Sequence, residues 1–467
     1  MRKLTEEYRE NIETVDAILR VKENFDLLKK TLRIGEDEVT LYYIDGFVKD
    51  AVMQKLMLYL VSLKGTGDDA HLFMEGHLPY VETDVSDDLD FLFQMVLSGA
   101  AILFGSRFGT RGIVIDARTY PARETAEPEG DKVMRGARDG FVETLIFNTA
   151  LIRRRIRDPE LTMCYLTVGK KSKTDVVLCY MHGTADEKYV AYLKKKLKET
   201  ETDSLTLGHE SLAECFIKRH WYNPFPKIRT TERPDAAAAQ LYEGSVLILV
   251  DNTPEVMVLP TGIFDFMQET NDFYFPPLTG TYIRVIRYLV FGLTLFLTPV
   301  WYLMIKYPAA VPDWLEFALP EKPGKLPVLV QLLLAEFLID GLRMASLNTP
   351  NMLSNSLSVV GGLILGDFAV SIGWLIPEVI LYMSFVAIAN FTQRSYELGY
   401  AFKFLRIGLL VLTAIFGIWG FAGGVVGMLI LLVTNRTVNG GHSYLYPLIP
   451  FNGRALASLL FRLPKKD

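Results

Sequence analysis

Residues 288–433 constrain this chain more than any other stretch. They hold apolar runs at 288–305, 357–391 and 407–433 that few water-soluble folds accommodate. A bilayer's hydrocarbon core is about 30 Å thick and takes about 20 mainly apolar residues per helical crossing. Each run is therefore long enough to span it or nearly so. The chain ahead of these runs has a different character. Charged side chains crowd positions 1–235 and are scarce from 288 to 434, so the overall 22% charged and mean hydropathy of +0.21 average over two unlike halves. The predicted fold class is a two-lobed α/β (α+β) cytosolic N-terminal region followed by an all-α multi-span membrane domain.

The net charge of −5 and the lack of a long basic arm argue against nucleic acid as a partner. Three cysteines (Cys164, Cys179, Cys215) without a CxxC spacing indicate neither a disulfide framework nor a zinc site. The first twenty residues are charged and amphipathic, which reads as the absence of a cleavable signal peptide. Arg284 and Arg287 precede the first apolar run, and by the positive-inside rule they set the N-terminal region in the cytoplasm.

Pattern and punctuation divide the chain into five parts. Residues 1–34 read as a helical segment, with Ile12, Val15, Ile18 and Leu19 at helical spacing. Residues 35–129 and 130–280 read as two α/β lobes, separated near Glu129 by a stretch rich in Pro, Gly and charge. Residues 281–434 form the transmembrane domain, and 435–467 a cytosolic or interfacial tail whose end is amphipathic. The last apolar run carries glycines at 417, 420, 423, 424 and 427, and both one tilted helix and a broken hairpin fit it.

No catalytic constellation is expected. There is no G-x-S-x-G, Walker A or H-E-x-x-H pattern, and the six histidines never cluster, so neither a metal nor a cofactor is predicted. Gly169-Lys-Lys-Ser-Lys-Thr174 reads as a hairpin turn rather than a phosphate loop. Arg153, Arg154 and Arg155 stand about 100° apart on a helix and cannot form one flat patch. They read either as a solvated helix end or as a contact for assembly or lipid headgroups.

In the membrane half, Ser358, Gly362, Gly366, Ala369 and Gly373 make a small-residue face suited to close helix packing. The opposite face carries Ser356, Val360, Leu363 and Asp367, the makings of a pore with an apolar constriction and a carboxylate ring. Glu336 would add negative field to such a pore. The competing reading pairs Asp367 with Arg343 or Arg406 inside a static bundle, with Glu336 also in an internal ion pair.

Several stretches together resemble a known family. They are Asp139-Gly-Phe-Val-Glu143, Asn148-Thr-Ala-Leu-Ile-Arg-Arg-Arg-Ile156, Val168-Gly-Lys-Lys-Ser-Lys-Thr174, Asn223-Pro-Phe-Pro226, Thr231-Glu-Arg-Pro-Asp235, and Glu243-Gly244 with Val250-Asp251. In this order and spacing they resemble the A-subunit (GerA) family of bacterial spore germination receptors, and residues 355–400 look most like its stage V sporulation AF branch. Ala137 and Arg394 depart from the family pattern, which tends to have Pro at both places.

The resemblance implies a spore inner-membrane protein acting in germination, and not an enzyme. It also implies self-assembly into an oligomeric, pentameric ion channel passing monovalent cations in the lipid bilayer. Receptor subunits or another small membrane germination protein are the implied partners. The alternatives are a non-conducting scaffold or a nutrient-receptor subunit that organises other germination proteins, and, more remotely, a secondary transporter built on the Gly-rich final run.

Overall fold

A computed structural model describes residues 2–48, 50–78, 82–120, 136–217, 221–269, 271–322, 324–348, 368–393, 395–435, 437–438 and 443–462. The chain forms two compact units. One comprises residues 1–218 and 228–260, the other 219–227 and 261–467.

Among the described residues, the first unit holds two five-stranded antiparallel sheets. The first contains β1 (Leu27–Ile34), β2 (Asp37–Ile44), β3 (Thr83–Ser86), β4 (Ala101–Gly105) and β5 (Gly112–Ile115), in the order β1-β2-β4-β5-β3. The second contains β6 (Leu161–Val168), β7 (Thr174–Met181), β8 (Arg229–Thr231), β9 (Val246–Val250) and β10 (Val256–Leu259), in the order β6-β7-β9-β10-β8. These two orders are the same.

The helices repeat the correspondence. In the first lobe α1 (Tyr8–Ile18) precedes the opening hairpin, α2 (Asp50–Ser62) and α3 (Ala70–His77) follow it, and α4 (Leu89–Leu97) lies between β3 and β4. In the second, α5 (Leu145–Arg155), α6 (Glu187–Lys198), α7 (His209–Phe216) and α8 (Pro234–Tyr242) occupy the equivalent places. Each lobe is thus one α-β-β-α-α-β-α-β-β pass, and the unit is a tandem repeat of a single topology.

Local chemistry accounts for the elements. The Asp186 carboxylate caps α6 by accepting from the Lys188 and Tyr189 amides at 2.8 and 3.3 Å, satisfying N–H groups that a helix start leaves open. The predicted turn at 169–174 joins β6 to β7 as a hairpin paired from Val168–Thr174 to Leu161–Met181. β9 and β10 also form a hairpin, whose turn has Asn252 at φ 60°.

Two sequence expectations are corrected here. Residues 1–34 are not one helical segment: α1 ends at Ile18, and residues 27–34 form β1, paired along its whole length with β2. Gly35, at φ 63°, closes that two-residue hairpin in the left-handed region a helix cannot use. The second lobe does not extend to 280. Its sheet ends at Leu259, and Ile263, Phe266 and Met267 pack in one buried cluster with Phe291, Leu398 and Phe402 of the helical unit. The expected lobe boundary at Glu129 lies outside the described residues.

The second unit is helical. It contains α9 (Asn271–Tyr274), α10 (Pro277–Lys306), α11 (Val328–Asn348), α12 (Ala369–Ile372), α13 (Pro377–Phe391), α14 (Tyr396–Phe416), α15 (Ile418–Thr434) and α16 (Gly453–Leu460). Among the described residues, two helices, α10 and α14, are long and apolar enough to cross a membrane, and α13 and α15 are shorter apolar helices.

The last apolar run is a broken hairpin. Gly417 (φ 62°) ends α14 and opens α15. The helices then run back along each other, with Gly420 against Leu412 and Gly424 against Leu409. A Cβ at Gly420 would collide with the Leu412 carbonyl oxygen, so only glycine permits this approach.

Candidate functional site

The chemically distinctive site in the helical unit is a buried set of charges between α11 and α14. Glu336 and Asp340 are four residues apart on α11, and Lys403 and Arg406 three apart on α14, so each pair shares one helix face. The helices are antiparallel here, which brings Glu336 to Arg406 and Asp340 to Lys403. Arg406 Nε donates to Glu336 Oε1 at 2.8 Å, with Nη2 2.6 Å from the same oxygen, and its Nη1 donates to the Thr294 carbonyl of α10 at 2.8 Å. Lys403 Nζ lies 3.5 Å from Glu336 Oε2 and is paired with Asp340. Glu336, Lys403 and Arg406 are all buried.

Two acids thus meet two bases, and the cluster is neutral. Buried charges persist when they are paired and hydrogen-bonded, and that is the arrangement here.

A second cluster surrounds Asp272, which is fully buried. Arg287 grips it with two bonds of 2.7 and 2.8 Å and reaches Glu269 at 2.9 Å. Arg284 Nε donates to Asp272 at 3.2 Å, and its Nη1 donates to the Ser458 and Leu459 carbonyls at the end of α16 at 2.8 and 3.4 Å. Burial raises the Glu269 carboxyl above its ordinary value, against the opposing pull of Arg287. Arg284 and Arg287, which the sequence offered as markers of membrane orientation, therefore face inward and tie the start of α10 to the C-terminal helix.

The predicted site residues fall as follows. Ser356, Val360, Leu363, Asp367, Ser358, Gly362 and Gly366 lie outside the described residues. Ala369 packs against the buried cluster of Trp301, Leu332 and Val379. Gly373, at φ 80°, ends α12 over the Lys325 side chain. Glu336 does not present an open carboxylate, because Arg406 and Lys403 neutralise it. Arg343 lies over the rings of Tyr396, Tyr400 and Phe391, at 4.9, 5.3 and 5.5 Å.

The three consecutive arginines have three different settings. Arg153 is 1% exposed and bound to Asp26 and Asn24 of the first lobe, so for this residue neither a solvated helix end nor a surface contact is realised. Position 153 falls on the buried face of α5 with Thr149 and Ile152, whereas 154 turns outward. Arg154 is exposed and lies over the Tyr120 ring at 4.8 Å. Arg155 Nη2 donates to both oxygens of Asp139, at 2.7 and 2.6 Å.

The motif residues act chiefly as ties within the fold. Asn148 accepts from the Val142 amide at 2.8 Å and donates to its carbonyl at 2.6 Å. Arg233 binds Asp235 and the Ala137 carbonyl. Phe225 packs on Tyr444, whose hydroxyl donates to the Pro226 carbonyl at 2.8 Å. Sequence reasoning missed these roles: Ala137 and Tyr444 are remote in the chain from Arg233 and Pro226, and the local pairs, Asn148 with Val142 and Arg233 with Asp235, carry no spacing signature. Among the described residues, no group of three or more His, Cys, Asp or Glu side chains is placed to hold a metal.

Comparison with known proteins adds the following. Residues 16–467 match the Bacillus/Clostridium GerA spore germination protein family. The stage V sporulation protein AF of Bacillus subtilis is 38% identical over 449 residues, covering 95% of this chain and 90% of that protein. An uncharacterised membrane protein of the same organism, YfkQ, is 30% identical, covering 91% and 83%. The solved N-terminal domain of the A subunit of the Bacillus megaterium spore germinant receptor GerK3 is 23% identical with a TM-score of 0.40, covering 55% of this chain and 96% of that one.

Proposed function

This chain belongs to the Bacillus/Clostridium GerA spore germination protein family, and from that premise we propose that it is a multi-pass protein of the spore inner membrane that assembles with copies of itself into a cation channel releasing ions during germination. The observation that carries the membrane reading is an inside-out distribution of polarity. The helical unit turns its paired charges inward and leaves Leu289, Val300, Leu381, Phe385, Ile388, Ile415, Ile430 and Val433 exposed. Helices in lipid arrange their residues in this way, because a charge facing hydrocarbon is costly and an apolar one is not.

Exposed tryptophans support the same reading. Trp314, Trp374 and Trp419 are exposed at the end where α10 stops and α11 begins, and Trp221 is exposed beside the segment that packs on Tyr444. Indole rings favour the two membrane–water interfaces.

For conduction, residues 356–367 supply the pore wall, with Val360 and Leu363 as its constriction and Ser356 and Asp367 as its polar positions. Connectivity supports a crossing there. Arg343 lies at one end of the bundle, beside Tyr396, and Ile372 at the other, beside Lys325. On the channel reading, the chain between them makes that crossing. Asp367 alone supplies the negative field, since Glu336 is already neutralised. The head serves assembly, with exposed Arg154 as a contact, and the partners are further copies or other germination subunits.

A specific observation favours a second reading, a non-conducting scaffold. The internal pairing of Glu336 is what a static bundle requires. Conductance of the purified chain in a planar bilayer, alone and as Leu363→Ala and Asp367→Asn, decides between them. A channel predicts cation current that rises in the first variant and loses cation preference in the second. Silence from all three intact oligomers rejects a channel made of this chain alone and leaves the scaffold or a channel completed by another germination subunit.

A further inference from the structure

We propose that the C-terminal segment around α16 binds anionic phospholipid headgroups at the membrane surface, an inference that rests on the membrane reading above. Tyr444 and Leu445 are buried in one cluster with Phe291 of α10 and Phe402 of α14. The Arg462 amide donates to Thr281 Oγ1 at 3.1 Å, and Arg284 donates to the Ser458 and Leu459 carbonyls. The segment is therefore fixed beside the first turns of α10.

The depth fits. Thr281 and Arg284 precede Tyr288, where the apolar run begins, by distances of about 6–10 Å along a helix. Headgroup regions add about 5–8 Å on each side of the hydrocarbon core, so Arg284 falls within them and Thr281 at their outer edge. Facing outward at this level are Leu448, Ile449, Phe451 and Phe461, with Phe451 74% exposed. Residues 443–462 contain two arginines and no acid, and Arg454 is exposed on the first turn of α16.

An apolar collar with a basic edge, continuous with a membrane-facing helix, complements an anionic lipid surface. Arg284 makes the segment more than a loose tail. It links the end of α16 through Asp272 to Arg287, so a lipid bound at α16 bears on the start of the first span.

Hydrogen exchange on the full chain in nanodiscs tests the proposal, comparing phosphatidylcholine alone with a mixture containing phosphatidylglycerol. Residues 446–461 should exchange more slowly in the anionic discs, and Arg454→Gln should reduce that difference about fivefold, the effect of one basic residue near such a surface. Phe451→Ser with Phe461→Ser should raise exchange in both discs. Equal protection in the two lipids overturns the proposal. So does protection that follows the number of chains per disc, which would mean that a second copy covers the collar. A chain that does not enter discs at all, with α10 and α14 exchanging as in buffer, overturns the membrane reading itself.

Discussion

Arg153 reaches from the second lobe to Asp26 of the first, with Nε 2.8 Å from one carboxylate oxygen and Nη2 3.1 Å from the other, and both side chains are nearly fully buried. Nη1 also donates to the Leu161 carbonyl, and Asn24 accepts from the Met163 amide at 2.8 Å. Residues 24–26 thus lie along the edge of the second sheet. Removing one member leaves an uncompensated buried charge. Arg153→Met should destabilise the head by about 3–5 kcal/mol, while Arg153→Met with Asp26→Leu should recover much of that loss. Denaturant unfolding of the two variants measures the difference.

The helical hairpin makes a steric prediction. Gly420→Val places a branched side chain against the Leu412 carbonyl, and the helices must separate to admit it. Overpacking of this kind costs about 1–3 kcal/mol. Thermal unfolding of the variant in detergent should show it, and a cysteine pair at Leu409 and Gly424 should cross-link less readily than in the parent. Gly427→Ala, where a Cβ meets nothing within 4 Å, should leave both measurements unchanged.

These two sites differ in how far the sequence revealed them. The apolar runs announce helices, because hydrophobic length is a local property, whereas the glycines at 417 and 420 permit a break without deciding it against one tilted helix. β1 was hidden because Leu-Leu-Lys-Lys-Thr-Leu-Arg-Ile has no strict alternation. As an edge strand it buries only its ends. The repeated lobe topology leaves no repeated motif to detect. Partners were the least legible. Arg153 and Asp26 are 127 residues apart and Arg406 and Glu336 are 70 apart, and spacing along a chain says nothing about such pairings. The sequence offered Asp367 as a mate for Arg343 or Arg406; Asp367 lies outside the described residues, and the mate seen at Arg406 is Glu336.

Asp37 gives the head a pH dependence of known sign. The Thr66 amide donates to it at 2.9 Å and the Thr66 hydroxyl at 3.0 Å, and Arg107 Nε lies 2.7 Å from its other oxygen. These contacts, the Thr66 amide foremost, hold its carboxyl below the usual range. The native state therefore favours the ionised form. Its contribution is complete above the unfolded value of about 3.9 and is lost as pH falls through the lower folded value. Asp37→Asn should speed exchange of the Thr66 amide at neutral pH. Exchange, corrected for its intrinsic pH dependence, should converge with that of the parent below the folded value. A gap that persists in acid would show that the carboxylate is not the cause.

The cluster at Glu336 separates a structural charge from a conducting one. In Glu336→Gln, Arg406 and Lys403 keep only Asp340 between them, and a buried cation loses its counterion. The expected result is destabilisation of the helical unit by about 3–5 kcal/mol, seen as a lower melting temperature. The reversal Glu336→Arg with Arg406→Glu keeps the net charge and the pairing, and should restore part of the stability. A lumen-facing carboxylate behaves otherwise. Its neutralisation changes ion preference with assembly intact, and reversing a partner on another helix does not restore that preference. On the channel reading, selectivity altered in a stably folded Glu336→Gln variant would therefore move Glu336 from the scaffold of the bundle to the wall of the proposed pore.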